Sequence, residues 1–214
     1  MNKIDFIELK RIEKDVLKGV SIKDVLTEIK TIAAFDIGFS GTKVICSCVV
    51  FNYPSMEVIE EKHTISEELM PYSPNLIAFR EGPPITDLYR DLENNPDILI
   101  VDGFGVLHPS KAGVASYVGV LLNKPVIGIS KELIYGNLDE DKVMFNNELK
   151  GYAVKAKEFA RPVFITPGHN ITAEKAVELI KNTVVAEFKL PLPLHLAHKK
   201  TNKIKKEMIE SKMA

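Results

Sequence analysis

Two aspartates each close a short apolar run. Ile98-Leu99-Ile100-Val101 leads into Asp102, and Ile32-Ala33-Ala34-Phe35 leads into Asp36. Four aliphatic residues bounded upstream by Asn95-Pro96-Asp97 read as a short strand buried on both faces. A carboxylate at the carboxyl end of such a strand sits where open α/β sheets keep their ligands. Asp102 alone reads equally well as a cap on the turn made by Gly103 and Gly105. The second acid changes the balance. If the two strands are neighbours, the carboxylates converge at one sheet edge and can bind Mg²⁺, which keeps several waters and accepts phosphate as a co-ligand.

The elements that must position these acids are legible in outline. Residues 2–30 read as helix: Phe6, Leu9, Ile12, Val16 and Leu17 recur at helical spacing, and Gly19-Val20-Ser21 breaks the pattern. Val25, Leu26 and Ile29 then resume it, with Ser21 as N-cap. Val44 to Phe51 and Val58 to Thr64 read as an antiparallel hairpin around Asn52-Tyr53-Pro54-Ser55. Residues 66–84 read as a proline-stiffened loop with a helical turn from Leu76 to Arg80, followed by a helix from Ile85 to Leu92. Arg80 and Glu81 read as an ion pair. Ala112 to Leu122 reads as an apolar helix and Pro125 to Ser130 as a buried strand, with Lys131 just past its end. Val143-Met144-Phe145 and Tyr152 to Lys155 suggest a hairpin, and Pro162 to Thr166 a further strand. Thr172 caps a helix with Ala176, Leu179 and Ile180 inward. Pro191-Leu192-Pro193 is a stiff connector into a last helix from about His195, carrying Lys199, Lys200, Lys203, Lys205 and Lys206. Antiparallel strands first, then strand–helix units, make an α/β domain on a mixed sheet.

The 214 residues suit one domain, and a 45% hydrophobic, 27% charged composition is ordinary for a globular protein. A formal net charge of −1 supplies no global field for a polyanion, so a nucleic-acid surface has to come from local clusters of Lys and Arg. The lysines from 199 to 206 are the dense cluster, suited to strand-backbone contact or to a solvated face. Cys46 and Cys48 lie two apart in a strand and point the same way, as buried thiols of a reducing compartment. The apolar runs fall short of membrane-spanning length and the first residues lack a signal-peptide core, so a cytoplasmic location is expected. His63 reads as surface, and His169 ends a strand near the expected site.

Taken in order, Asp36, Pro71-Tyr72-x-Pro74, Phe79-Arg80-Glu81-Gly82-Pro83, Asp102-Gly103-x-Gly105, His108-Pro109, Gly113-x-Ala115-Ser116, Gly128-x-x-Lys131 and Tyr135-Gly136 resemble the endonuclease V family. Those proteins are deaminated-base repair nucleases with a ribonuclease H-like fold, and the resemblance covers roughly residues 30–200. It implies an α/β mixed sheet flanked by helices, with an N-terminal helical segment over 1–30 and a basic C-terminal helix over 195–214. It implies Asp36 and Asp102 as Mg²⁺ ligands (Mn²⁺ as substitute), with Glu81 completing the acidic cluster directly or through water. Lys131 would steady phosphate charge, and His108 and His198 would lie near the scissile phosphate or the DNA backbone. Tyr72, between Pro71 and Pro74, would be the wedge beside the damaged base. The base pocket would draw on Asn75, Ile77, Gly103, Gly113, Val114, Gly128 and Ile134, with Gly103 and Gly105 allowing close approach of the nucleotide.

The implied reaction turns hypoxanthine out of the stack and hydrolyses the second phosphodiester bond on its 3′ side, leaving a nick. Base extraction costs on the order of a few kcal/mol, less at a mispair, and a stacked tyrosine offsets about 1–3 kcal/mol of it. The partners would be double- or single-stranded DNA carrying deaminated bases, or inosine in RNA for a nuclease of the same family, and the protein would act as a monomer. Three positions depart from the family pattern: Phe104 stands for a polar residue, Tyr117 for a frequent histidine, and Asn75 for a glycine beside the base pocket. Two other readings compete. Asp36-Ile37-Gly38-Phe39-Ser40-Gly41-Thr42-Lys43 resembles the first phosphate loop of the actin and sugar-kinase superfamily, but that superfamily needs two such domains and a second phosphate loop; an inosine-binding module without cleavage is opposed by the intact Asp36 and Asp102.

Overall fold

Alternation within the apolar runs decides the layering. In β1 (Thr31–Ser40), Ile32 and Ala34 join one buried cluster while Ala33 and Phe35 join another. In β4 (Ile98–Asp102), Ile98 and Ile100 follow the first set, and Leu99 and Val101 the second. Successive side chains of a strand point to opposite faces, so a sheet built from such runs must be covered on both. The computed structural model, which describes residues 6–73, 76–108 and 113–213, shows that arrangement. Helices α1 (Phe6–Gly19), α2 (Ile77–Arg90) and α3 (Val114–Leu122) lie over one face. Helices α4 (Ala173–Lys181) and α5 (Leu192–Met213) lie over the other.

The sheet of the described residues has nine strands. β2 (Lys43–Asn52) and β3 (Val58–Glu67) extend β1 antiparallel on one side. On the other side β4 and β5 (Val126–Ser130) run parallel to β1. Three short strands follow in sequence, β6 (Asn137–Asp139), β7 (Lys142–Phe145) and β8 (Glu148–Val154). The last, β9 (Val163–His169), inserts between β5 and β8, giving the order β3-β2-β1-β4-β5-β9-β8-β7-β6. A mixed sheet flanked by helices is therefore the fold, as expected. No helix among the described residues is long and apolar enough to cross a membrane.

Several local expectations are corrected. Residues 20–30 do not continue as helix. Ser21 caps nothing: its N–H donates to His169 Nδ1 (3.2 Å) and its carbonyl accepts from Asn170 N–H (2.6 Å). Asp24 accepts from the N–H and hydroxyl of Thr172 (2.9 and 3.1 Å), the residue that caps α4. The segment keeps Leu26 and Ile29 on the core, so tertiary hydrogen bonds override the helical spacing. His169 pairs with Val126 at the start of β5, the sheet edge opposite Asp102. α2 is one helix through Pro83 and Pro84, not a turn and a second helix. α5 begins at Leu192 rather than His195, because a proline in the first turn lacks an N–H that the helix would leave unbonded anyway. β9 runs on through Pro167 and Gly168, and β6 was not foreseen. Cys46 and Cys48 are buried on one face, and burial pushes both thiols well above their ordinary range.

Tyr117 belongs to this packing. Its ring meets Phe79 edge-on at 5.4 Å between centroids and covers Gly82, where a β-carbon would lie 2.3 Å from the ring. Tyr117 thus locks α3 to α2, the helix that carries Glu81. Gly82→Ala should cost about 1–3 kcal/mol through overpacking, and a Tyr117→Ala background, which empties the space, should absorb most of that penalty. Equal penalties in both backgrounds in thermal unfolding would show that the ring contact is not the cause.

Candidate active site

Strand register brings the two acids together. Ile32 pairs with Ile98 and Phe35 with Val101 across the parallel ladder, and the next step sets Asp36 beside Asp102. Both acids share the side-chain parity of Ile32 and Ile98, so both face α5. Gly38 lets that helix come close: a β-carbon there would lie 2.5 Å from Thr201 Cγ2. His198, one turn before Thr201, places Nδ1 3.2 Å from Asp36 Oδ1. One ligand atom from each of Asp36, Asp102 and His198 lies within 4.8 Å of the others.

Charges around this group are only partly balanced. Asp36 is 2% exposed, and its Oδ2 has no hydrogen-bond partner among the described residues. Lys131 Nζ donates to Asp102 Oδ2 at 2.6 Å. Burial still holds the Asp102 carboxyl above its ordinary range, with Lys131 opposing and Asp36 adding to the shift. The hydrogen bond to Asp36 raises His198, against its own burial. Glu81 approaches from α2, outside the three-membered group. Burial first, then the charges of Asp102 and Asp36, push its carboxyl up to about 7, with Arg80 opposing. An orphaned, buried carboxylate oxygen beside two further acids is a site short of a cation. Oxygen-rich donors suit Mg²⁺, and an imidazole in the set suits Mn²⁺ as well.

Arg80 is not the ion-pair partner of Glu81. Its Nε donates to Glu68 at 2.7 Å, and its guanidinium lies 3.6 Å from the Phe39 ring centroid and 5.5 Å from that of Tyr72. Tyr72 itself is 62% exposed in the loop before α2. Arg80 thus ties the tyrosine loop to β1, a role hidden in sequence because Glu81, the adjacent acid, is the obvious partner. Pro71 stands exposed beside Tyr72. Pro74 and Asn75 lie outside the described residues, as does Pro109.

A cavity of about 260 Å³ opens beside the acids. Glu81, Asp102 and His108 line it together with Gly103, Ile77, Gly113, Val114 and Ile134, residues that the family resemblance implies for a pocket. Ile37, Phe104 and Ser130 complete the wall and were not foreseen. Ser130 had a signal, since it ends a buried parallel strand as Asp102 does. Phe104 supplies an apolar side, its ring 6.0 Å from that of Tyr135, and His108 meets the same tyrosine edge-on at 5.4 Å. Gly103 adopts a φ of +145°, a conformation open to glycine. Two glycines are elsewhere. Gly105 is buried against β9, where a β-carbon would lie 2.0 Å from the Pro167 carbonyl oxygen, so it serves packing and not nucleotide approach. Gly128 lies beneath the loop at 103–105, with 2.5 Å from a β-carbon to the Gly103 oxygen, and does not line the cavity. His63 is exposed on β3. Of the lysines on α5, Lys200 pairs with Glu61 (2.7 Å), and Lys203 and Lys206 pair with Glu207 and Glu210 one turn on. The cluster is thereby partly neutralised.

The Glu81 carboxyl sets a pH dependence. In the fold it keeps its proton up to about 7, whereas an unfolded chain releases it near 4.5. Unfolding therefore releases a proton in that window, and the metal-free protein should lose stability as pH rises through it, levelling above about 7. Thermal melts across this range should show the slope, and Glu81→Gln should flatten it; an unchanged slope would assign it to another group.

A family model described as Endonuclease V matches residues 14–199. The endonuclease V of Thermofilum pendens is 38% identical over 88% of this chain and 84% of its own length. That of Archaeoglobus fulgidus is 30% identical over 97% of each. Among solved structures, endonuclease V of Bacillus subtilis superposes with a TM-score of 0.90 at 23% identity, covering 98% of this chain and 96% of the other. The Ciona intestinalis enzyme, solved with a 23mer DNA containing an inosine followed by a ribo-adenosine, superposes at 0.83 with 24% identity, over 94% and 97%. With a family match across most of its length and relatives this similar over nearly the whole of both chains, the chain belongs to the endonuclease V family of nucleases.

Proposed function

We propose that this protein is a metal-dependent endonuclease that recognises inosine in DNA and hydrolyses the second phosphodiester bond 3′ to it, nicking the strand as a monomer. The carrying observation is one shared residue: Asp102 belongs both to the tight group with Asp36 and His198 and to the wall of the 260 Å³ cavity. That volume is below the range of drug-sized ligand sites and suits one extruded base. The relative from Ciona intestinalis was captured on inosine-containing DNA, and its fold is the fold of this chain.

Asp36, Asp102 and His198 would hold Mg²⁺, with Mn²⁺ as substitute, and Glu81 would bear on the same ion directly or through water. Bound there, the cation would acidify a nucleophilic water and neutralise charge on the phosphate. Lys131, now on Asp102, would turn its ammonium to the phosphate as negative charge grows. His108 would meet the nucleotide from the cavity wall. Tyr72, held by Arg80, would enter the space left by the base. Because the Ciona DNA carries a ribo-adenosine beside the inosine, inosine-containing RNA is a second substrate to test.

Matched DNA and RNA strands carrying one inosine, incubated with Mg²⁺ and with EDTA, test the reading. Cutting on the 3′ side of inosine is expected with Mg²⁺ alone, and no cutting of either strand would reject it. Asp36→Ala and Asp102→Ala should each lower the rate by about a thousandfold or more. Wild-type rates in either variant would remove the metal role from these acids. Tyr72→Ala should reduce the preference for inosine over undamaged strands by about tenfold, one stacked base's worth. Unchanged preference would reject the wedge.

A further inference from the structure

A second cavity, of about 800 Å³, reaches the acidic group at Lys131 and His198. Asp102 lines the smaller space and His198 the larger, while ligand atoms of both lie within 4.8 Å, so the group is a wall common to the two. Lys131, bonded to Asp102, also faces the larger groove. From there the groove passes the connection between β8 and β9, which presents Lys157, Phe159 and Arg161, and reaches Lys189 ahead of α5.

Two features indicate an occupant. Phe159 is 96% exposed and takes a φ of +60°, which a bulky residue adopts at a cost. A ring so exposed contributes nothing to the core. Four cations line the same groove, Lys131, Lys157, Arg161 and Lys189, against Glu132, Glu158 and Glu187. This is a locally positive lining on a chain whose formal net charge is −1. Cations that track phosphates, with an aromatic face open to any base, are the elements of sequence-independent single-strand binding. The three glutamates keep the contact weak, which suits a strand that must leave after cutting.

We infer that this groove carries the strand on the 3′ side of the cut bond, with Phe159 stacked on a base and Lys157, Arg161 and Lys189 beside its phosphates. The direction rests on the proposed function. With the damaged base in the smaller cavity and the cut displaced 3′ of it, a strand crossing the acidic group emerges on the His198 side as its 3′ segment.

Inosine-containing single strands with about ten or about two nucleotides beyond the cut, lengths that do and do not fill a single-strand groove, test this with Mg²⁺ present. For the wild-type chain the longer flank should raise kcat/KM by about tenfold, and Phe159→Ala should erase most of that ratio. Because the ring is exposed, the substitution removes no packing. The double variant Lys157→Ala/Arg161→Ala should lower the slope of log affinity against log salt by roughly 1.4, two single-strand phosphate contacts, for uncut strand bound in EDTA. No wild-type gain from the longer 3′ flank, or a full gain retained in Phe159→Ala, would overturn the inference while leaving inosine cleavage intact. A Phe159→Ala effect that follows the 5′ flank instead would overturn the assigned direction. If the wild-type chain cuts neither inosine strand, the proposed function fails and this inference with it.

Discussion

Because β1 and β4 pair in parallel with Ile32 beside Ile98, the two strands run out together at one sheet edge and on one face. A slip of one residue in either would turn one aspartate to the opposite layer, since side-chain direction has a period of two. The aliphatic runs forbid that slip: Ile32, Ala34, Ile98 and Ile100 would trade places with Ala33, Phe35, Leu99 and Val101 between two cores filled by different helices. Hydrophobic sorting therefore holds the carboxylates side by side. No local preference of Asp36 or Asp102 does so.

That placement stores electrostatic cost. Two carboxylates with oxygens within 4.8 Å repel when both are charged, and Glu81 adds a third acid. The fold answers with groups from separate elements: the Lys131 ammonium beyond β5 on Asp102 and the His198 imidazole of α5 beside Asp36. Among the described residues Glu81 forms no ion pair, because Arg80 turns to Glu68 and Phe39. Its raised carboxyl is the remaining imbalance, and a divalent cation is the natural counterweight.

Elements around the group divide the space by contact at close range. Gly38 admits α5 to the sheet, Gly82 admits the ring of Tyr117, and Gly105 seats the loop after Asp102 on β9. The loop is thereby held rigid while Gly103 and Phe104 face an open cavity. Phe104 and Tyr117 thus have structural roles: one walls the cavity and one clamps the helix bearing Glu81.

Much of this was legible in order and type of residue. Two apolar runs ending in acids, the hairpin of β2 and β3, the Thr172 cap and the succession of short motifs depend on neighbours within a few positions. Those local rules gave the sheet class, the pair Asp36 and Asp102, and the family. Long-range contacts decided the rest. Helical spacing over 20–30 yielded to hydrogen bonds with His169, Asn170 and Thr172. Arg80 chose Glu68 over its neighbour Glu81 because helix geometry points adjacent residues in different directions. Whether His198 faced the acids depended on the phase of α5 against β1, set by Gly38 and Thr201. Gly103 and Gly105, alike in sequence, parted into cavity wall and packing joint only once β9 lay beside the second. Residue order dictated which chemistry was available, and the side-by-side pairing of distant segments decided which groups could perform it together.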